Sequence, residues 1–402
     1  MDWTVSTARI ALEGGQPTRS AFLPYARQVI EDDDVAAVVQ ALRSDWLTTG
    51  PEVERLERGF AELVGARHAV AYSSGTAALH GTMFAARIGA GDEVVVPTLT
   101  FAASAACVVY QGGTPVLADV DEATLNLPSV ELERRISPRT KAVMVVHYGG
   151  VPAAMDELTS VARANGLLVV EDAAHAAGAR YRGEWVGVLG DMGVFSLHPA
   201  KQLTAGEGGI VTTNDDALAE RLRRFRNHAM DTSGRQREEA GAFVYSIEEL
   251  GFNYRLTDIQ AALGSSQLAK LDRFVQRRRE LVAAYDRELS GLGLTLPHVP
   301  SGAEPTWHLY VVRLPLERLS VDRDVVFRAM RAENIGVNVH YIPVHRLGFY
   351  ARRLGQGSEE FPVAEDAYRR ILTLPLHPGM SDEDLTSVVR ALEKVLAFYS
   401  RS

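Results

Sequence analysis

Short apolar runs alternate with helical stretches along the first half of the chain, and this alternation restricts the possible folds more than any other feature. Residues 76–87, 102–110 and 155–165 have helical patterns. The strand-like runs are residues 69–72, 93–96, 115–118, 142–146, 167–170, 193–196 and 209–212. The alternation predicts an α/β fold with a mainly parallel central sheet and helices on both of its faces. Because ligands of such sheets bind at the carboxyl ends of the strands, functional residues are expected there.

The chain is long enough for two domains. Its 402 residues exceed what a single compact core usually holds. Residues 1–27 lack periodicity and contain two prolines, so we expect an N-terminal arm. The alternating pattern predicts a large domain over residues 28–265. A long helical pattern from residue 257 to about residue 289 leads into a smaller C-terminal α+β domain, which we place at residues 266–402.

Composition excludes several classes of protein. A net charge of −9 with scattered arginines argues against a nucleic-acid partner or an anionic membrane surface. No apolar run reaches the length of a membrane span and no signal pattern is present, so we expect a cytoplasmic protein. The single cysteine, Cys107, excludes an internal disulfide and a site of several thiolates. Since no group of residues has metal-ligand spacing either, we expect no bound metal.

Lysine is rare in this chain, and one lysine has an unusual setting. The 42 basic residues include only four lysines, which are Lys141, Lys201, Lys270 and Lys394. Lys201 lies between the apolar run 193–196 and the glycine-rich segment 206–209. Its amine can lose a proton and condense with an aldehyde, which an arginine guanidinium cannot do. We therefore interpret Lys201 as a catalytic lysine, with an ordinary structural lysine as the alternative.

Polar residues follow two other predicted strands. Residues 73–76, Ser-Ser-Gly-Thr, open a helix whose free N–H groups and hydroxyls can bind a phosphate, or Ser74 can act only as a helix cap. Asp172 ends the strand 167–170 and can pair with a protonated ring nitrogen, or it can cap a helix. His175 can hydrogen-bond that carboxylate or a cofactor, or it can be structural.

Phe101 and Ser196 complete this set. Phe101 offers a ring on which a flat cofactor could stack, although core packing is the commoner role of a phenylalanine. Ser196 places a hydroxyl at the end of the strand that precedes Lys201. The phosphate-binding segment, the aromatic ring, the aspartate, the hydroxyl and the lysine all fall at strand ends. Together they predict a site for pyridoxal 5′-phosphate (PLP).

Several segments resemble the DegT/DnrJ/EryC1/StrS family of sugar aminotransferases. The resemblance extends from Leu23-Pro24-Tyr25 to the C-terminal helix. The segments WLTTGP, SSGTAAL, EDAAH, GFNYRLTD, VHYIPVH and LPLHPG carry it, at residues 46–51, 73–79, 171–175, 251–258, 339–345 and 374–379. It implies the PLP-dependent transferase fold of type I, which is that of aspartate aminotransferase. Within the family the chain is most similar to the pseudaminic-acid-type branch, which aminates C4 of UDP-linked 4-keto-6-deoxy-N-acetylhexosamines.

The resemblance implies roles for the candidate residues. Lys201 matches the lysine that binds the cofactor covalently and moves a proton to and from the sugar carbon. Asp172 matches the partner of the pyridine nitrogen, and Phe101 matches the stacking ring, while some relatives carry glutamine in place of His175. The matching phosphate ligands are Gly75, Thr76, Ser196 and, reaching in from a partner subunit, Asn253. This last match implies a homodimer with shared active sites.

The resemblance also implies the reaction. An amino group would pass from L-glutamate to the C4 ketone of a nucleotide-linked, UDP-type keto-deoxysugar. Relatives that became dehydratases carry histidine in place of Lys201, so the lysine favours transamination. The candidate substrate-binding residues, for which ordinary core or surface roles are the alternative, are Thr49, Arg255, His308, His340, Tyr341 and His345.

Two other functions stay open at this point. One is an aminotransferase that acts on a keto-cyclitol, such as an inosose in antibiotic biosynthesis. It is distinguished from the nucleotide-sugar enzyme only by whether a nucleotide adds affinity for the substrate. A non-catalytic relative would keep the fold without the reaction, and the presence of both Lys201 and Asp172 argues against it.

Overall fold

The computed structural model describes residues 9–232, residue 237 and residues 240–401. The first eight residues of the expected N-terminal arm therefore lie outside the described part. The strands are β1 (His68–Tyr72), β2 (Glu93–Pro97), β3 (Thr114–Ala118), β4 (Thr140–Val146), β5 (Leu168–Asp172), β6 (Arg180–Tyr181), β7 (Glu184–Trp185), β8 (Met192–Ser196), β9 (Gly209–Thr213), β10 (Ala303–Glu304), β11 (Tyr310–Arg313) and β12 (Ile371–Leu374).

A seven-stranded sheet forms the centre of the described chain. Its strand order is β1-β9-β8-β5-β4-β2-β3. The pairs from β3 through β2, β4 and β5 to β8 are parallel, whereas β9 is antiparallel to both β8 and β1. This arrangement confirms the α/β fold with a mainly parallel sheet. Strands β2 and β9 are buried along their whole length, which requires cover on both faces of the sheet.

Helices provide that cover. They are α1 (Asp32–Leu42), α2 (Pro51–Val64), α3 (Gly75–Ala85), α4 (Ala103–Tyr110), α5 (Ser129–Arg135), α6 (Met155–Ala164), α7 (Asp216–Phe225), α8 (Asp258–Leu268), α9 (Leu271–Leu289), α10 (Arg323–Ala332), α11 (Gly348–Leu354), α12 (Pro362–Arg370) and α13 (Asp382–Phe398). Helix α3 is buried over most of its length because it packs against the sheet, α4 and α7. Its position brings its first turn to the ends of the central strands.

The long helix expected at 257–289 is two helices in the structure. Helix α8 ends before Ala269 and α9 begins after Lys270. The ammonium group of Lys270 lies 2.6 Å from a carboxylate oxygen of Asp33 and 2.7 Å from one of Asp34, at the start of α1. These contacts join parts of the chain far apart in sequence, so the helical pattern alone does not show the break.

The C-terminal region has an apolar core of its own. Strands β11 and β12 pair antiparallel, and α9, α10 and α13 pack around them. The described part of the N-terminal arm docks on this region, where the buried carboxylate of Glu333 accepts hydrogen bonds from the Ala11 N–H and the Thr18 hydroxyl, both at 2.7 Å. The domain division at residues 265 and 266 stays a prediction.

No helix in the described part of the chain combines the length and the apolar character needed to cross a bilayer. The cytoplasmic location stays a prediction.

Candidate active site

A cavity of about 510 Å³ lies at the strand ends of the central sheet. One wall comes from the sheet and the helices that follow its strands, and it includes Asp172, Ser196 and Lys201. The other wall comes from the C-terminal region. The predicted site residues that line this cavity are Gly75, Thr76, Phe101, Asp172, His175, Ser196, Lys201, His308, His340 and Tyr341.

The start of α3 forms a narrow cradle beside the end of β8. Ser74 caps the helix, and its Oγ accepts a hydrogen bond from the Ala77 N–H at 3.1 Å. A Cβ atom at Gly75 would lie 3.1 Å from Cβ of Ser196, and one at Gly209 would collide with the Ser74 carbonyl oxygen. Glycine at these two positions therefore lets β8 and β9 approach the first turn of α3. Free N–H groups at a helix start, beside the Ser196 hydroxyl, form a cradle that fits a phosphate.

Asp172 is buried at the end of β5, with its carboxylate held by two donors. The Ser104 hydroxyl donates to Oδ2 at 2.7 Å, and the Ala174 N–H donates to Oδ1 at 3.2 Å. Burial raises the pKa of Asp172, while these hydrogen bonds and the charge of Lys201 act in the opposite direction. A carboxylate fixed in this way fits a protonated ring nitrogen.

Lys201 lies in the turn that follows β8. Its Nζ is 3.4 Å from Nε2 of His308. Burial lowers the pKa of Lys201 to about 8, and the carboxylate of Asp172 opposes this shift. A substantial fraction of the amine is thus neutral near physiological pH, which both condensation with an aldehyde and proton transfer require.

His175, which follows β5, meets His308 and Tyr341 of the C-terminal wall. The His175 and His308 rings are 4.5 Å apart, and His175 Nε2 is 2.8 Å from the Tyr341 hydroxyl. Burial lowers the pKa of both histidines well below the usual value and raises that of Tyr341. The second ring nitrogen of His175, Nδ1, is buried and has no hydrogen-bond partner among the described residues.

His340 and Phe101 also line the cavity. His340 Nδ1 shares a hydrogen bond of 2.8 Å with the Thr373 hydroxyl, and burial lowers its pKa to about 3. The Phe101 side chain is 57% exposed and its ring lies 5.8 Å from that of Tyr341. An aromatic ring left open in this way fits the stacking role expected for Phe101.

The structure does not bring every predicted residue to this cavity. His345 is buried elsewhere, with Nδ1 2.7 Å from the Thr98 hydroxyl and Nε2 2.7 Å from a Glu365 carboxylate oxygen. Both ring nitrogens are therefore occupied by protein partners. A substrate-binding role for His345 stays a prediction.

Within one chain, Thr49, Arg255 and Asn253 do not line the cavity that contains Lys201. Thr49 and Arg255 line a second cavity of about 590 Å³. Arg255 donates a hydrogen bond of 2.7 Å to the Asn227 side-chain oxygen, and the Asn253 backbone is bridged to Asn227. The Asn253 side chain is exposed.

Ser104 and Asn338 were not predicted as site residues from the sequence. Ser104 carries a hydroxyl within the apolar stretch 102–109. Because a buried hydroxyl needs a hydrogen-bond partner, its place in this stretch could have indicated a buried polar contact. Asn338 lines the cavity, and its amide nitrogen lies 3.4 Å from His340 Nε2. No local pattern distinguishes it from other asparagines.

Known proteins of one family match this chain over most of its length. Residues 28–393 match the DegT/DnrJ/EryC1/StrS aminotransferase family. The chain is 41% identical over 381 residues to the spore coat polysaccharide biosynthesis protein SpsC of Bacillus subtilis, and the match covers 94% of this chain and 98% of SpsC.

Solved structures of sugar aminotransferases are also similar. Spr1654 of Streptococcus pneumoniae, a putative sugar aminotransferase solved in PMP and PLP forms, has a TM-score of 0.87 for its PMP form, with 29% identity over 93% of this chain and 99% of that one. Helicobacter pylori PseC, an aminotransferase of pseudaminic acid biosynthesis, has a TM-score of 0.87, with 28% identity over 94% and 99% of the two chains. DesI, solved in the presence of its TDP-sugar product, has a TM-score of 0.87, with 32% identity over 96% of each chain.

The family match, the fold and a cavity that fits PLP agree with one another. The cradle at Gly75, the fixed carboxylate of Asp172 and the open ring of Phe101 suit the phosphate, the ring nitrogen and the ring face of that cofactor. The chain is thus a PLP-dependent transaminase that belongs to the DegT/DnrJ/EryC1/StrS aminotransferase family.

Proposed function

We propose that this transaminase moves an amino group from L-glutamate to the C4 ketone of a UDP-linked 4-keto-6-deoxy-N-acetylhexosamine. The observation that carries the proposal is the Lys201 amine, enclosed beside Asp172 and facing the uncharged side chains of the C-terminal wall. The TDP-sugar product of DesI supports a nucleotide-linked acceptor. The choice of UDP and of this sugar type rests on the resemblance to the pseudaminic-acid branch, in which PseC acts.

Residues at the strand ends would hold the cofactor. In this proposal Gly75, Thr76 and Ser196 bind the phosphate, Asp172 pairs with the ring nitrogen, and Phe101 covers one ring face. When bound, PLP supplies an electron-accepting ring that stabilises the electron pair left when the C–H bond at the amino-bearing carbon breaks. The contribution of Asp172 is electrostatic, because its carboxylate favours the protonated ring nitrogen.

Lys201 would hold and move the proton at the amino-bearing carbon. Its amine takes this proton as a base, which requires the neutral form, and later returns it as an acid. A pKa of about 8 allows both forms to be populated near neutral pH. His308 Nε2, at 3.4 Å, can accept a hydrogen bond from Nζ and so orient the amine.

The C-terminal wall, together with His175, would bind the sugar. His175, His308 and His340 are held neutral, and Tyr341 keeps its proton, because burial disfavours their charged forms. Neutral donors and acceptors of this kind suit the hydroxyl and keto groups of an uncharged sugar ring. The diphosphate of the nucleotide needs cationic groups instead.

A second copy of the chain would supply those groups. The cavity beside Thr49 is lined by the arginines Arg223, Arg224, Arg226, Arg237 and Arg255. We propose a homodimer in which Thr49, Asn253 and Arg255 of each subunit serve the Lys201 cavity of the other. Within one chain Thr49 and Arg255 line a cavity that does not include Lys201, and Asn253 is exposed; both facts support this arrangement.

Hybrid dimers test the shared site. Lys201→Ala and Arg255→Ala chains, each inactive alone, are co-expressed with different tags and purified through both. If sites are shared, the doubly tagged hybrid dimers regain roughly half of wild-type activity, because one of the two sites in each hybrid is intact. Mixed Lys201→Ala and Asp172→Ala chains are the matched control and should stay inactive. Hybrids without activity, from a stable dimer, would contradict shared sites.

The amino acceptor is tested by the two half-reactions. L-Glutamate should bleach the visible band of the lysine-bound cofactor, and the UDP-linked 4-keto sugar should restore it. The TDP-linked counterpart and an inosose are tested in parallel at equal concentration. Restoration by the inosose alone would contradict the nucleotide-sugar assignment and would favour the keto-cyclitol function.

A further inference from the structure

Arg278 occupies an apolar position of α9. The buried face of this helix is formed by Leu271, Phe274, Val275, Arg278, Leu281, Val282, Tyr285 and Leu289. Arg278 is only 1% exposed, and a buried guanidinium destabilises a protein unless its charge and donors are compensated. No carboxylate in the described residues forms an ion pair with it, so an ordinary buried salt bridge does not explain its presence.

The guanidinium of Arg278 instead donates to main-chain carbonyl oxygens of three segments around the active site. Nη1 lies 3.2 Å from the oxygen of Trp307, 3.4 Å from that of His308 and 2.9 Å from that of Leu376. Nη2 lies 3.5 Å from the oxygen of Lys201, the longest of the four contacts. The planar fork of an arginine can reach several acceptors at once, which a lysine ammonium cannot do in the same geometry. One side chain therefore links the turn of Lys201 to the segment of His308.

The backbone before His308 is strained. Trp307 has a φ of 54°, in the left-handed region that a bulky residue rarely adopts. Such a conformation persists only where surrounding contacts hold it. The hydrogen bond from Arg278 to the Trp307 carbonyl is one of these contacts. The position of the His308 ring relative to Lys201 therefore depends on Arg278.

The charge of Arg278 also acts on His308. Burial is the main cause that lowers the pKa of His308. The charged and titratable groups that face this ring add to the shift, and they are Lys201, His175, Arg278 and His340. Asp172 faces Lys201 and acts on its amine. A neutral His308 presents a lone pair at Nε2 to the Lys201 amine.

We propose that Arg278 is a positioning residue for Lys201 and His308. It fixes the two segments relative to each other, so that His308 Nε2 stays within hydrogen-bond distance of the lysine amine. This inference rests on the proposed role of Lys201 in proton transfer. It requires no particular sugar acceptor.

The ring protonation of His308 is the first test. The cofactor-free protein is labelled with ¹⁵N in its histidine rings, and the His308 signals are assigned with His308→Asn. In the wild type they should show a neutral ring, protonated at Nδ1, from about pH 5 to pH 8. Arg278→Met removes the hydrogen bonds that hold the two segments together, so the His308 Nε2 signal should lose the shift that Lys201→Ala also removes, while the buried ring stays neutral. Arg278→Lys keeps the charge but lacks the planar fork, so it should show the same change.

The rate of the first half-reaction is the second test. With L-glutamate, Arg278→Met should slow the loss of the visible band about 10- to 100-fold and change glutamate affinity less than about threefold. The acidic limb of its pH profile should keep the wild-type position, since burial and Asp172 set the pKa of Lys201. Arg278→Lys should also be slow with the wild-type limb.

Arg279→Met is the matched control on the same helix. The Arg279 Nε donates to the Pro305 carbonyl at 3.1 Å, and within the described residues Arg279 makes no hydrogen bond to the Lys201 turn, so this variant should behave as wild type in both tests. If Arg278→Met fails to fold, a slow Arg278→Lys enzyme with a changed His308 Nε2 signal supports the proposal, and a fast one contradicts it. A folded Arg278→Met protein with the wild-type His308 Nε2 signal and the wild-type rate would show that Arg278 only supports packing. Neither readout involves the sugar acceptor, so a wrong acceptor assignment would leave both results interpretable.

Discussion

Replacing Lys201 with alanine is expected to lower transamination by at least about 10⁴-fold and to leave the protein able to bind PLP. The amine is the group placed to take and return the proton, and His308 and Asp172 beside it are set to orient it and to tune its charge. The cradle at Gly75, the Asp172 carboxylate and the Phe101 ring do not depend on this amine, so the cofactor should still bind. Steady-state rates and a PLP-binding titration measure the two effects separately.

Two further lysine variants complete this test. Lys201→Arg keeps a positive charge that cannot be removed, so it should be as inactive as the alanine variant. Lys141→Ala removes an exposed lysine at the start of β4 and should keep full activity. A Lys201→Ala enzyme that turned over at the wild-type rate would contradict the assignment of the proton-transfer group.

Replacing Asp172 with asparagine is expected to lower the rate about 10²- to 10³-fold with a smaller effect on PLP affinity. The asparagine keeps the shape and can still accept from the Ser104 hydroxyl, but it lacks the charge that favours a protonated ring nitrogen. Because the Asp172 charge raises the pKa of Lys201, its loss should lower that pKa below about 8. The acidic limb of the pH–rate profile, where Lys201 becomes protonated, should therefore move to lower pH.

Ser104→Ala is the matched control for Asp172. It removes the 2.7 Å hydrogen bond but keeps the carboxylate, so its rate should fall by only about tenfold. Its pH profile should keep the wild-type position, since the charge beside Lys201 is unchanged. An Asp172→Asn enzyme with the wild-type rate would contradict the electrostatic role of this carboxylate.

The sheet was predictable because its strands are local patterns. Each expected run lies within one or two residues of an observed strand. The carboxyl ends of the parallel strands β5 and β8, at Asp172 and Ser196, lie at the same edge of the sheet. The break between α8 and α9 was missed because Lys270 binds carboxylates on α1, more than two hundred residues earlier. Contacts between distant parts of the chain decide such features, and a local pattern does not contain them.

The same distinction between local patterns and contacts between distant segments applies to the candidate site. Motif residues at strand ends, such as Gly75 and Lys201, occupy the cavity as expected. His345 belongs to a similarly specific motif, yet its ring is turned toward Thr98 and Glu365. Arg278 was not singled out, because the carbonyl oxygens that it binds come from three separate segments of the chain.

The position of the transferred nitrogen tests the proposed reaction most directly. The enzyme is supplied with ¹⁵N-labelled L-glutamate and the UDP-linked 4-keto-6-deoxy-N-acetylhexosamine, and the product is examined by NMR for coupling between ¹⁵N and the sugar carbons. We expect the label on C4 of a sugar that still carries its nucleotide, and no label with the Lys201→Ala enzyme. Label on another carbon, or incorporation only into a keto-cyclitol offered in the same tube, would contradict the proposed function.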